Sequence, residues 1–193
     1  KSRAHNTRLV EGVTQAKRTP KRPSSSLIHR ELDSMGAQAN ALTYNEFTGY
    51  YARAEKKQCK RALYLISDMY QHPLIPAKDL EKERGVILQE ISMYEDLPQE
   101  KVGFLLMELL YGNTPAGRSI LGPKENIESF SRKNFLEYHK THYTAEKSIV
   151  VVVGDLKESQ VKSEILKQFK NISSGNKVGK LAVKENQRKP EGL

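Results

Sequence analysis

The sequence predicts an α+β domain in which helices pack on a mostly antiparallel sheet. Three observations lead there. Apolar residues recur at helical spacing in several separate stretches. Residues 37–54 carry a hairpin signature. Ile149-Val150-Val151-Val152-Val153 is a continuous β-branched run. The order helix, hairpin, several helices, strand, helix describes helices layered on a sheet. A chain of 193 residues can bury one sizeable core.

The elements follow from local signals. Ser24, Ser25 and Ser26 offer N-caps for a helix over residues 24–35, with Leu27, Ile28 and Leu32 as its apolar stripe and Gly36 as its stop. Ala39-Asn40-Ala41-Leu42-Thr43 and Phe47-Thr48-Gly49-Tyr50-Tyr51-Ala52 read as strands joined by Tyr44-Asn45-Glu46. Cys59, Ala62, Leu63, Ile66, Met69 and Tyr70 define a helix over 57–70, which places Cys59 in the core. Pro73 and Pro76 break the chain before a long helix over 77–94. Val102, Leu105, Leu106, Leu109 and Leu110 give a third helix with the cleanest amphipathic pattern. A turn-rich loop spans 112–122, and Ser131 opens a helix to about His142. The run at 149–153 suits a strand buried on both faces, ended by Gly154-Asp155. Val161, Ile165 and Phe169 share one side of a last helix over 157–169.

Charge argues against nucleic acid as a partner. The net +9 sits at the two ends. Residues 1–23 hold seven Lys or Arg against one Glu, residues 177–193 hold five against two, and residues 24–176 are neutral. A nucleic-acid domain places its basic face on the folded body, so these are solvated ends. No apolar run reaches the length of a membrane span. The single cysteine has no internal disulfide partner. The chain starts with Lys, so a fragment or processed product is expected, incomplete at its N-terminus. No secretory signal is visible, which favours an intracellular setting (bacterial cytoplasm or organelle matrix) over secretion. Three segments are expected: residues 1–20 as a basic lead, 21–172 as the domain, and 173–193 as a linker or tail.

Few residues offer chemistry. Glu83 and Glu90 are seven apart, so they share one helix face about 10 Å apart along its axis. Alone, they read as a solvated face. His139 and His142 are three apart, with no acid or thiol spaced to complete a metal site. His5, His29 and His72 are isolated. The glycines at 175 and 179 do not make a phosphate loop, because the spacing is one residue short and Leu181 stands where Ser or Thr is required.

Separated motifs give the long helix its context. They are Leu32-Asp33-Ser34-Met35-Gly36-Ala37-Gln38-Ala39-Asn40-Ala41, the stretch from Glu83 through Glu90 to Pro98, Gly117-Arg118-Ser119-Ile120-Leu121-Gly122, and Val150-Val151-Val152-Val153-Gly154-Asp155. In this order they resemble the pitrilysin/insulinase family of zinc metallopeptidases, in particular its processing-peptidase branch and its N-terminal domain. The resemblance runs from about Lys21 to Phe169. It implies a zinc site built on an inverted motif, His-x-x-Glu-His, with the Glu as general base and a later Glu as third ligand. It also implies an exposed sheet edge to which peptide substrates add as an extra strand.

Carried onto this chain, the motif window is Arg8-Leu9-Val10-Glu11-Gly12. Glu11 takes the general-base position. Arg8 and Gly12 replace both histidines. Glu90 takes the third-ligand position, with one residue inserted before Thr19-Pro20-Lys21-Arg22, where the family has a Gly-Thr-x-x-Arg stretch. Glu83 matches an acid that supports the metal site, and Asn40 and Ala41 match the substrate edge. Arg8 offers no acceptor and Gly12 no side chain, so zinc is expected of the family and not of this chain as it stands. A salt bridge from Arg8 to Glu90, filling the vacant metal position, is the expectation in its place.

Three functional expectations result. One is an impaired or inactive homologue that still binds peptide or unfolded polypeptide. Another is an active zinc endopeptidase whose first residues are misrepresented, since the similarity fails abruptly upstream of Lys21. The last is a structural or assembly subunit of the same fold. In each, a second homologous domain or subunit is the expected partner.

Overall fold

The computed structural model describes residues 18–44 and 46–176. Helix α1, Ser25–Ser34, begins after Ser24 in extended conformation. It ends at Gly36, whose φ of +58° is a left-handed turn that suits glycine. Strands β1 (Gln38–Thr43) and β2 (Thr48–Arg53) pair antiparallel with Asn40 opposite Tyr51. Of the residues that link them, Asn45 lies outside the described residues. A 3-10 turn at Lys56–Gln58 leads into α2, Cys59–Gln71. Helix α3, Ala77–Glu95, starts directly after Pro76, and α4, Pro98–Tyr111, carries its proline in the first turn, where the missing N–H costs nothing. The short α5 is Lys124–Ser129. Helix α6, Arg132–His142, is opened by a capping box between Ser131 and Asn134. A 3-10 turn at Ala145–Lys147 and helix α7, Glu158–Phe169, complete the order.

Helix α2 packs on β2 and on α7, while α3 packs on α4 and α5. The core has two parts. Ile28, Met35, Ala62 and Leu65 join α1 to α2. Ile75, Leu80, Ile87, Ile91, Leu121, Ile127 and Phe135 join α3 to α5 and α6. The α+β class is borne out by this arrangement, with a sheet of two antiparallel strands among the described residues.

A buried ionic network lies beside the first core. The Arg22 guanidinium donates to Glu31 at 2.5 Å and to Asp68 at 2.6 Å. The Thr19 hydroxyl donates to the same Asp68 oxygen at 2.7 Å. Thr19 and Asp68 are buried, as is Arg22. Nearby, the Leu74 amide donates to the Arg18 carbonyl, and Arg18 pairs with Asp79 at 2.9 Å in the first turn of α3.

Three expectations are corrected. Cys59 is only half-buried, and Leu65, fully buried, is the innermost residue of α2. Helix α4 buries none of its residues, and Val102 and Leu106 are exposed. It packs on α3 by one side, so its periodic apolar face outruns what covers it. The run at 149–153 is not buried on both faces. Val150 and Val152 are half-buried, whereas Ile149, Val151 and Val153 are 89%, 74% and 90% exposed. Its burial alternates as in a strand, yet no strand pairs with it among the described residues. β-branching stiffens the chain toward extension, but only a neighbouring strand makes a sheet.

Asp68→Ala should destabilise the chain by about 3 kcal/mol, because it leaves a buried guanidinium short of one carboxylate. A urea-melt change under about 1 kcal/mol would contradict this role. The Arg22 guanidinium, more than the burial that opposes it, holds the Glu31 carboxyl below the usual range. Its stabilising contribution is therefore present above its ordinary pKa and fades as pH falls through its lower folded value. Glu31→Gln should flatten the loss of stability below about pH 4, as read by melts across pH. Gly117→Ala should cost about 2 kcal/mol, since a Cβ there would lie 2.2 Å from the Gly112 carbonyl oxygen, a backbone atom that cannot swing away.

Candidate functional site

Helix α3 carries the two acids on one face. Leu80, Ile87 and Ile91 are buried and fix the helix rotation. Glu83 and Glu90 then fall on the flank of that buried stripe, between it and the more exposed Val86 and Met93, which are 54% and 51% exposed. Both carboxylates are half-buried. A half-buried acid between apolar neighbours is a reasonable place for a metal ligand, and equally for a salt bridge.

Arg84, beside Glu83, sets how α3 meets α5. Its guanidinium donates to the Ile127 carbonyl and, at 2.8 Å, to the Phe130 carbonyl. It also pairs with Glu81 at 3.1 Å. Arg84 thus holds the free carbonyl end of α5 against α3. Nothing in the helical periodicity singled it out.

Asn40 and Ala41 lie on β1, whose only partner among the described residues is β2. Asn40 is exposed, and its side-chain oxygen accepts from the Ala41 amide at 2.9 Å. The side chain therefore turns back on its own strand, where an added strand would have to displace it. These residues belong to the hairpin, whereas Glu83 and Glu90 belong to the α3 cluster.

Among the described residues, no three of His, Cys, Asp and Glu converge to hold a metal ion. Glu11, Arg8 and Gly12 lie outside them. The histidines of α6 serve packing. His139 Nε2 donates to the Tyr70 carbonyl at 2.9 Å, its ring stacks on Tyr143, and burial pushes its pKa down. His142 stacks on Tyr138 at 4.0 Å. Catalytic zinc requires three protein ligands with one open position. Glu83 and Glu90 by themselves supply two carboxylates, short of that requirement.

The family model for the insulinase family (peptidase family M16) matches residues 13–124, and that for the peptidase M16 inactive domain matches residues 129–192. The human mitochondrial-processing peptidase subunit beta is 39% identical over 141 residues, which are 73% of this chain and 29% of that protein. The uncharacterized zinc protease YmxG of Bacillus subtilis is 35% identical over 139 residues, 72% of this chain and 34% of that protein. The chain thus spans about a third of the length of these relatives. Among solved structures, a peptidase M16 inactive domain from Pseudomonas fluorescens aligns with a TM-score of 0.84 at 18% identity, covering 94% of this chain and 44% of that one. A protease from Helicobacter pylori aligns at 0.80 and 19%, covering 94% and 43%. These two likenesses concern the fold. With the first family model alone matching more than half of its residues, the chain belongs to the insulinase family, peptidase family M16.

Proposed function

We propose that this chain is an insulinase-family domain that binds extended peptide without cleaving it. The observation that carries the reading is the window Arg8-Leu9-Val10-Glu11-Gly12, where the two zinc-binding histidines are replaced. Glu90 keeps the third-ligand position, Glu83 the supporting acid, and Asn40 and Ala41 the open edge. Glu11 keeps the general-base position but has no metal-bound water to deprotonate. Arg8 brings a fixed positive charge and no lone pair to a ligand position, so it cannot take the place of a metal-binding histidine. No cleavage step is derived for such a donor set. The partner in this reading is a second homologous domain or subunit that encloses the peptide, consistent with relatives more than twice as long.

A second reading is favoured by one observation. The insulinase match begins at residue 13, just past the window, so the departure is confined to the segment where similarity ends. An active zinc endopeptidase with an altered first segment would look the same from residue 13 onward.

Metal analysis and a peptide assay separate the two. The chain purified without chelators should hold well under one zinc per molecule and leave a flexible basic peptide intact, while Arg8→His with Gly12→His should raise zinc to about one per chain. Stoichiometric zinc that is lost in Glu90→Gln, or cleavage abolished by a chelator, would sink the first reading. Binding of the uncleaved peptide, weakened by Asn40→Ala, should accompany the low zinc.

A further inference from the structure

We infer that residues 170–176 form a strap whose clip on the Ala145–Lys147 turn opens and closes, so that the C-terminal arm is either held against the domain or free to swing. The inference is independent of zinc and peptide. Two bonds close the clip. The Ala145 amide donates to the Ser173 carbonyl at 2.9 Å, and the Gly175 amide donates to the Glu146 carboxylate. Glycine is required at 175 for space. A Cβ there would lie 2.6 to 2.8 Å from three atoms of the Thr144 side chain. Thr144 is 2% exposed and β-branched, so it has no room to turn aside.

One side of the clip is anchored and the other is lightly held. The Ser148 hydroxyl donates to the Thr144 carbonyl at 2.6 Å and bonds the Tyr70 hydroxyl at 2.6 Å, which ties the turn to α2. The strap also starts from a fixed point. Gln71 Nε2 donates to the Gln168 carbonyl in the last turn of α7, and the Ile172 amide donates to the Phe169 carbonyl. From that pivot to the end of the strap, Lys170, Asn171, Ser173, Ser174 and Asn176 are exposed, while Ile172 and Gly175 are half-buried. Little apolar area holds the strap down, and such segments open at a small fraction of the global unfolding free energy. A bonded closed position, a pivot and few buried contacts are the parts of a hinged latch. Closed, it fixes the direction in which the chain leaves the domain. Open, it lets the arm turn about Phe169.

Hydrogen exchange of the full chain, read amide by amide, tests it. The Ala145 and Gly175 amides should be protected to the same degree, because one opening exposes both. Gly175→Ala and, separately, Glu146→Ala should speed the exchange of both about tenfold, while the buried Leu65 and Ile87 keep their rates. Glu146 is exposed, so its variant keeps the fold. Adding Thr144→Gly to Gly175→Ala moves the missing side chain to the other side of the clip and should recover most of the protection. Spin labels at Asn176→Cys and Lys140→Cys, in a Cys59→Ser chain, should give one narrow distance that broadens in Glu146→Ala. Unprotected amides at 145 and 175 in the unaltered chain overturn the proposal, as does exchange that neither substitution speeds. Core amides that speed up together with those two in Glu146→Ala overturn it too, because the contact then belongs to the global fold. So does a Thr144→Gly addition without rescue, or a label distance as narrow in Glu146→Ala as in its parent.

Discussion

The Arg22 guanidinium holds together three parts of the chain that lie far apart in sequence. It meets Glu31 on α1 and Asp68 near the end of α2, and Thr19 shares the same Asp68 oxygen. A charge this deeply placed is tolerable only because two carboxylates and a hydroxyl surround it. Its value is geometric as much as energetic. Four residues from it, Arg18 takes the Leu74 amide on its carbonyl and Asp79 on its side chain, which fixes where α3 begins. From that start the buried Leu80, Ile87 and Ile91 set the helix rotation, and the acidic face follows.

Holding a peptide and cutting it make separate demands on a chain. An added peptide strand needs a sheet edge, and β1 has β2 as its one partner among the described residues. Catalytic zinc needs three ligands brought to one point, and the described residues bring no such set. The insulinase-family model matches residues 13–124, so the Arg8–Gly12 window stands just before the matched stretch.

Elements governed by neighbouring residues were readable in the sequence. Ser131 at the start of α6, Pro73 and Pro76 before α3, and Gly36 at the end of α1 each act within one turn of chain. The shared face of Glu83 and Glu90 follows from a seven-residue spacing. What depends on distant partners was not readable. The pairing of Arg22 with Asp68 spans 46 residues, and no local spacing joins the two. Cys59 fits the apolar period of α2 and Leu65 was not part of that stripe, yet Leu65 is the one that α1 helps to cover. The valine run announces extension but carries no word on whether a neighbour exists. For α4 the periodicity was right and its burial was not, since a stripe states what a helix can bury and not what is there to bury it.

The aromatic junction beneath the hairpin gives the protein an unusual optical character. Tyr70 lies 6.0 Å from Tyr50 and 4.8 Å from Tyr143, and its hydroxyl bonds Ser148. The chain has no tryptophan, so its near-ultraviolet absorption and emission come from nine tyrosines. Phenols packed this closely exchange excitation and acquire a fixed chiral environment. Circular dichroism in the tyrosine band therefore reads the seating of β2 and α6 on α2, with no label and no indole signal over it.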